Sequence, residues 1–116
     1  MTLKNDWPSI LIVSAEASSA LYAERLLEEF HRRNLELNIF GVGSREMERL
    51  GFEAIGRSEE MAVMGFKEVF AHYPKIRKVF HELLRLSEER RPKVALLLDY
   101  PGFNLRLAKK LHELGI

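Results

Sequence analysis

The sequence predicts an α/β domain built on a doubly wound parallel sheet. Short apolar runs rich in branched residues alternate with longer segments in which apolar residues recur at helical spacing. The order strand, helix, strand, helices, strand, helix favours crossovers that return each strand parallel to the last, which is a Rossmann-like arrangement. A chain of 116 residues can bury one modest core, so we expect a single domain.

The first strand is predicted at Ile10-Leu11-Ile12-Val13, a β-branched run that follows Pro8. A surface helix follows at residues 17–33, where apolar residues recur beneath a charged face. The residues expected to face the sheet are Leu21, Leu26, Leu27 and Phe30.

The second strand is predicted at residues 37–43. Its two glycines, Gly41 and Gly43, indicate tight local geometry, and we assign them no catalytic role. Ser44 is a good cap for a short helix at residues 45–50 that stops at Gly51, and a brief extended piece follows at residues 52–55.

Two helices are predicted next, at residues 61–73 and 75–90, because Pro74 removes a backbone donor between them. A third strand at residues 94–98 leads into a last helix that closes at Gly115. Three strong strands make a thin sheet, so we expect either the N-terminal piece of a longer polypeptide or a domain excised from one. The apolar residues of the last helix are Phe103, Leu105, Leu107, Leu111 and Leu114.

Composition narrows the function classes. Eighteen basic and seventeen acidic residues leave a formal charge of +1, so no global field attracts nucleic acid. The absence of cysteine excludes a thiolate nucleophile and a disulfide framework. The four histidines fall in predicted helices without metal-ligand spacing, and we expect no metal site. No apolar run approaches the roughly 20 residues that cross a bilayer.

An apolar strand delivers Asp99 into a turn at residues 96–104. Ligands of parallel sheets bind beyond the carboxyl ends of the strands, so this carboxylate stands where chemistry is expected. The alternative is that Asp99 only starts a turn or caps the next helix.

The first strand runs into a turn at residues 14–20, where a helix amino end favours an anion. Glu16 and Ser18 are candidates to bind a ligand hydroxyl, or they only cap the helix. No glycine precedes Gly41, which argues against a dinucleotide site at this turn.

Residues 61–73 are too apolar for an ordinary surface helix and are followed by a basic cluster that contains Lys75, Arg77, Lys78 and Arg85. Apolar anchors beside basic residues are typical of a segment at an anionic membrane surface. The alternative is a buried helix beside a solvated basic face.

Four stretches carry a resemblance. Residues 10–21 are similar to a strand that leads into a Gly-Glu-Ala/Thr-Ser-Gly-Asp turn, and residues 41–54 are similar to a second block. Residues 59–69 closely match a long and specific string, and residues 99–104 match an Asp-x-Pro-x-Phe-Asn motif. In order and spacing, these stretches resemble the lipid-A-disaccharide synthases from about residue 10 to residue 116.

The resemblance implies the N-terminal half of a two-domain glycosyltransferase of GT-B type. Residues 1–116 would form its Rossmann-like, acceptor-side domain, and the UDP-binding C-terminal half would be absent. The implied reaction moves 2,3-diacylglucosamine from its UDP carrier to the 6-hydroxyl of 2,3-diacylglucosamine 1-phosphate, with inversion and release of UDP, in lipid A biosynthesis. No metal or cofactor is implied, and we expect the chain alone to be inactive.

The resemblance also implies residue roles. Asp99 would be the general base, and Glu16, Ser18 and Asn104 would line the sugar pocket. The full-length protein would be cytoplasmic, peripheral to the inner membrane and a possible homodimer. The implied membrane contacts are Val69, Phe70, Tyr73 and Ile76.

The chain departs from the family pattern in its first turn, where Ala15, Ser19 and Ala20 replace two glycines and an aspartate. A second aspartate of the last motif is Gly102, which leaves Asp99 as the one candidate acid of that motif. These departures keep open a non-catalytic relative that binds lipid or a protein partner. A small nucleotide-binding domain is a third possibility, which the missing glycine loop disfavours.

Overall fold

The computed structural model describes residues 6–62 and 74–116, which form four strands and five helices. The strands are β1 (Ser9–Ser14), β2 (Asn38–Gly43), β3 (Glu53–Arg57) and β4 (Val94–Leu98). The helices are α1 (Ala17–Arg32), α2 (Arg45–Arg49), α3 (Ser58–Ala62), α4 (Pro74–Arg90) and α5 (Pro101–Glu113). The alternation of strands and helices predicted from the sequence is confirmed.

The four strands form one parallel sheet in the order β3-β2-β1-β4. The chain moves outward from β1 to β3 and then returns to the other side of β1, which makes the β1–β4 boundary the switch point of a doubly wound sheet. The Rossmann-like fold class is therefore confirmed. The extended piece predicted at residues 52–55 is a full strand, β3, shifted by one residue at its start.

The core has two parts, one on each face of the sheet. Leu11 and Val13 of β1 pack with α4 and α5 on one face, and Ile12 packs with α1 and α2 on the other. This alternation follows from the two-residue period of a strand. Both faces of β1 are thus covered, as its continuous apolar sequence predicts.

Two of the predicted core leucines are exposed, and those predictions were wrong. Leu21 is 49% exposed, because α1 faces the sheet through Ala20, Ala23 and Leu27, a stripe that small alanines bring close to the strands. In α5, the positions predicted to be buried include Leu105, which is 71% exposed. Leu105 is two residues from each of the buried residues Phe103 and Leu107. Two residues correspond to a rotation of about 200° around the helix axis, so Leu105 lies on the opposite side of α5.

Helix boundaries follow local chemistry. The Ser44 hydroxyl accepts a hydrogen bond from the Met47 N–H at 3.2 Å and so caps α2, as predicted. Helix α4 begins at Pro74, where a missing N–H costs nothing, and ends at Arg90, close to the predicted bounds. Of the helix predicted at residues 61–73, the first two residues end α3 and the rest lie outside the described residues.

The glycines of β2 are required by close packing. Gly41 has φ +144°, and a Cβ added there would stand 1.9 Å from the Ile12 carbonyl oxygen of the neighbouring strand. At Gly43 a Cβ would stand 2.7 Å from side-chain atoms of both Met47 and Phe52, but it would not meet backbone at that distance. Gly41 is therefore the more restrictive position, because backbone at the centre of a sheet cannot move aside.

We expect Gly41→Ala to lower the free energy of unfolding by on the order of 3 kcal/mol or more, because it forces a backbone clash at an unfavourable φ. Gly102→Ala is the matched control, since a Cβ at Gly102 meets nothing within 4 Å and alanine favours the first turn of α5. The measurement is urea unfolding followed by circular dichroism. Equal stability of the two variants would contradict the steric role of Gly41.

Candidate functional site

The carboxyl ends of β1 and β4 lie side by side. The register pairs Ser14 with Leu98, the last residues of the two strands. Adjacent strands are about 4.8 Å apart, so the turn that follows β1 lies next to the turn that follows β4. This pairing brings Glu16 and Asp99, which are far apart in sequence, to the same edge of the sheet at the switch point.

Asp99 and Tyr100 both have left-handed backbone conformations, with φ of 54° and 50°. Aspartate enters this region more readily than most residues, whereas a bulky residue such as tyrosine does so rarely. Two consecutive residues of this kind turn the chain sharply from β4 into α5, whose first residue is Pro101. The turn leaves the Asp99 side chain exposed.

Asp99 opens onto a groove of about 430 Å³ beside the first turns of α5. Among residues 6–62 and 74–116, its carboxylate has no hydrogen-bond or ion-pair partner. Within those ranges, no residue competes with a ligand for this carboxylate. The lining residues are Leu97, Asp99, Pro101, Asn104, Leu105 and Ala108.

Asn104 contacts the same turn from within α5. Its side chain is 5% exposed, and its Nδ2 donates to the carbonyl oxygens of Leu98 at 3.2 Å and Asp99 at 2.7 Å. The Oδ1 atom is buried without a hydrogen-bond partner in the described part of the chain. Asn104 thus borders the groove, but its amide donors are directed at the backbone of the turn.

Tyr100 is a residue of this edge to which the sequence assigned no role. Its side chain is 9% exposed, its ring packs 5.7 Å from that of Phe103, and its hydroxyl donates to the Met61 carbonyl at 3.2 Å. Burial raises the pKa of the Tyr100 phenol, and the Glu16 carboxylate raises it further. The phenol therefore remains a hydrogen-bond donor at neutral pH.

The turn after β1 is closed by Ser19. Its hydroxyl accepts from the Glu16 N–H at 3.3 Å and donates to the Glu16 carbonyl at 2.9 Å, where α1 begins. The side chains of Glu16 and Ser18 are both exposed at this edge. The sequence offered no signal that chose Ser19 over Ser18, because either serine fits a cap pattern.

The turn after β1 has no backbone strain at the two positions where the family motif has glycine. Ala15 and Ser19 are not among the residues with positive φ, so neither position requires glycine for its conformation. Both side chains are buried, with exposures of 0% and 2%. This turn therefore accommodates Ala15 and Ser19 without backbone strain.

Two buried serine hydroxyls form hydrogen bonds at the carboxyl ends of the strands. The Ser14 hydroxyl donates to the Val42 carbonyl at 3.2 Å, and the Ser58 hydroxyl donates to the Ser14 carbonyl at 2.6 Å. These bonds join the ends of β1 and β2 to the start of α3. They satisfy polar groups that the strand ends would otherwise leave buried and unpaired.

A second candidate site lies away from this edge. A larger cavity of about 630 Å³ lies at the opposite, amino edge of the sheet, between Trp7 and the paired side chains of Glu53 and Arg90. We favour the carboxyl edge because ligands of parallel sheets bind there. Within the described ranges, no group of three or more His, Cys, Asp or Glu side chains could hold a metal ion.

Of the four residues that the resemblance implies to contact a membrane, the structure describes one. Val69, Phe70 and Tyr73 lie outside the described residues. Ile76 is 2% exposed and packs in the core with Phe80 and Leu83, so its side chain is not available to a membrane. In the part of the chain that the structure covers, no helix combines the length and apolar character that would let it cross a bilayer.

Comparisons with known proteins agree with the resemblance. A family model described as lipid-A-disaccharide synthetase matches residues 10–116. A lipid-A-disaccharide synthase of Anaeromyxobacter dehalogenans (strain 2CP-C) is 48% identical over 107 residues. Synthases of the same name from Koribacter versatilis (strain Ellin345) and Myxococcus xanthus (strain DK1622) are 42% and 40% identical over 108 and 109 residues.

These alignments cover 92–94% of this chain but 28% of each of the three relatives. The chain thus spans just over a quarter of the length of the curated relatives it matches. Because the family model covers nearly the whole chain, the match does not depend on one motif. The chain belongs to the lipid-A-disaccharide synthase family.

Proposed function

We propose that this chain is the N-terminal, acceptor-side part of a lipid-A-disaccharide synthase. The full protein would transfer 2,3-diacylglucosamine from its UDP carrier to the 6-hydroxyl of 2,3-diacylglucosamine 1-phosphate. The observation that carries the proposal is the exposed carboxylate of Asp99, which has no partner among residues 6–62 and 74–116 and opens onto a groove at the switch point of the sheet in a chain of this family.

Asp99 is the base in the proposed reaction. It accepts the proton of the acceptor's 6-hydroxyl while that oxygen forms a bond to the anomeric carbon of the donor sugar. The bond from the anomeric carbon to the phosphate oxygen breaks, and UDP leaves with the electron pair. One direct displacement of this kind inverts the anomeric centre and requires a single base.

Glu16 and Ser18 are the proposed contacts to the acceptor sugar. Both side chains are exposed on the turn beside Asp99, and Ser19 already supplies the hydrogen bonds that close that turn. The carboxylate of Glu16 can accept from sugar hydroxyls, and the hydroxyl of Ser18 can donate or accept. In this proposal the acceptor phosphate would lie near the N–H groups at the start of α1, which favour an anion.

The donor site belongs to a part of the protein beyond this chain. The chain spans 28% of the relative from Anaeromyxobacter dehalogenans, and we propose that a second Rossmann-like half binds the UDP carrier. Residues 1–116 would then be the acceptor-side domain. Turnover would require both halves, because one would bind the acceptor hydroxyl and the other would bind the donor sugar.

The segment before α4 is the proposed contact with the inner membrane, from the cytoplasmic side. Val69, Phe70 and Tyr73 are its apolar anchors, and exposed Lys75, Arg77 and Lys78 lie at the start of α4. Each basic residue near an anionic surface contributes about 1 kcal/mol to binding. Such a surface would present the acyl chains of both substrates to the sugar site.

Asp99→Asn tests the base. The assay uses a chimera in which residues 10–116 replace the matching segment of the Anaeromyxobacter dehalogenans synthase. Asparagine tolerates the left-handed backbone but cannot take the proton, so we expect kcat to fall by about 10²-fold or more with KM little changed. Glu113→Gln, at the far end of α5, is the control, and near-normal turnover of Asp99→Asn would remove the assigned role.

Glu16→Gln and Ser18→Ala test the acceptor site in the chain itself. We expect saturable binding of 2,3-diacylglucosamine 1-phosphate below its micelle threshold, no binding of UDP, and roughly 5- to 10-fold weaker lipid binding in either variant. Isothermal titration provides the measurement. Glu28 is an exposed residue in the second half of α1, so Glu28→Gln makes the same charge change as Glu16→Gln away from the edge and should bind like the parent.

The double variant Phe70→Ser, Tyr73→Ser tests the membrane contact. We expect its binding to vesicles containing phosphatidylglycerol to fall about tenfold or more, because two apolar anchors are lost. Vesicle flotation at low and high salt gives the bound fraction. Leu105→Ser removes an exposed apolar side chain from α5 and serves as the control, and equal losses in both proteins would contradict a specific contact.

A further inference from the structure

The turn between β4 and α5 needs a structural element to hold it. Asp99 and Tyr100 both occupy the left-handed region, where each non-glycine residue is strained by about 1 kcal/mol or more. Such a conformation persists only when its surroundings determine it. Because the direction of the Asp99 side chain depends on this backbone, the element that holds the turn also aims the carboxylate.

Asn104 makes hydrogen bonds that hold the turn between β4 and α5. Its Nδ2 spans the carbonyls of Leu98 and Asp99, one on each side of the point where the strand ends. Its own backbone N–H donates to the Tyr100 carbonyl at 2.9 Å. One residue of α5 is thus bonded to three consecutive carbonyls of the turn.

The orientation of this amide is fixed by its partners. Rotating the side-chain amide by 180° would set Oδ1 against two carbonyl oxygens, which have no proton to donate. In the observed orientation, both N–H groups of Nδ2 are used by the backbone, and Oδ1 is buried. Asn104 therefore has no amide donor left for a sugar hydroxyl.

We propose that Asn104 is a positioning residue that holds the Asp99–Tyr100 turn and thereby aims the Asp99 carboxylate, rather than a contact of the sugar. The catalytic part of this inference rests on the proposed function, in which Asp99 is the base. The structural part, that Asn104 holds the turn, stands on the hydrogen bonds alone.

The test is a pair of substitutions in the chimera defined above, Asn104→Ala with and without Asp99→Asn. A positioning residue acts through Asp99, so Asn104→Ala should lower kcat at least tenfold, leave KM for the acceptor within about twofold, and have little further effect once Asp99 is asparagine. A direct sugar contact would instead raise KM, and its effect would multiply with that of Asp99→Asn. Either that result or an unchanged kcat would overturn the proposal.

Asn38→Ala is the matched control, because its amide donates to the Trp7 carbonyl at 3.4 Å at the opposite edge of the sheet. It should leave kcat unchanged. Asn104→Ser keeps one hydrogen-bond donor, so its kcat should be higher than that of Asn104→Ala. This difference distinguishes a misdirected Asp99 carboxylate from a failure to fold. Circular dichroism of each purified variant excludes unfolded protein from the comparison.

Failure of the proposed function gives a different result. If Asp99→Asn alone turns over normally, Asp99 is not the base and the catalytic part of the inference falls with it. The structural part is then decided by urea unfolding of the chain, where Asn104→Ala should raise the unfolding equilibrium constant about tenfold. Alanine has the higher helix propensity, so unchanged or greater stability would overturn that part as well.

Discussion

The pairing of β4 with β1 is the constraint on which the rest of this structure depends. Strand β1 is paired on its other side with β2, so the return of the chain to β1 creates a switch point between β1 and β4, which is the last strand on that side of the described sheet. Two turns that are more than 80 residues apart in sequence meet there, because Ser14 and Leu98 are in register. Without this pairing, Glu16 and Asp99 would not lie at the same edge of the sheet.

Much of the fold could be predicted because its signals are local. The apolar runs of β1, β2 and β4, the Ser44 cap and the start of α4 at Pro74 each express the preference of a few neighbouring residues. The expected position of Asp99 at the sheet edge also followed from the strand that precedes it. The weaker signal of β3 was underestimated, since Glu53 and Gly56 interrupt its apolar pattern.

The parts that could not be predicted depend on contacts between distant residues. Leu21 and Leu105 fit a helical pattern, but which edge of an apolar stripe faces the sheet is decided by packing, and here alanines and neighbouring apolar residues occupy the interface. The left-handed turn at Asp99 and Tyr100 contains no glycine at these two positions, so nothing in the sequence indicates a positive φ there. The motif that contains Asn104 indicates a role, whereas only the geometry distinguishes a sugar contact from a bond to the backbone.

The energies around the turn explain why it can persist. Two left-handed residues are together strained by about 2–6 kcal/mol. The two hydrogen bonds of the Asn104 side chain contribute about 1–3 kcal/mol, and burial of the Tyr100 ring contributes about 1.5–3 kcal/mol. These opposing contributions are similar in size, so the turn is held without a large surplus. The bond from the Tyr100 hydroxyl to the Met61 carbonyl connects this balance to the end of α3. The edge that exposes Asp99 is therefore stabilised from both neighbouring elements, α3 through Tyr100 and α5 through Asn104.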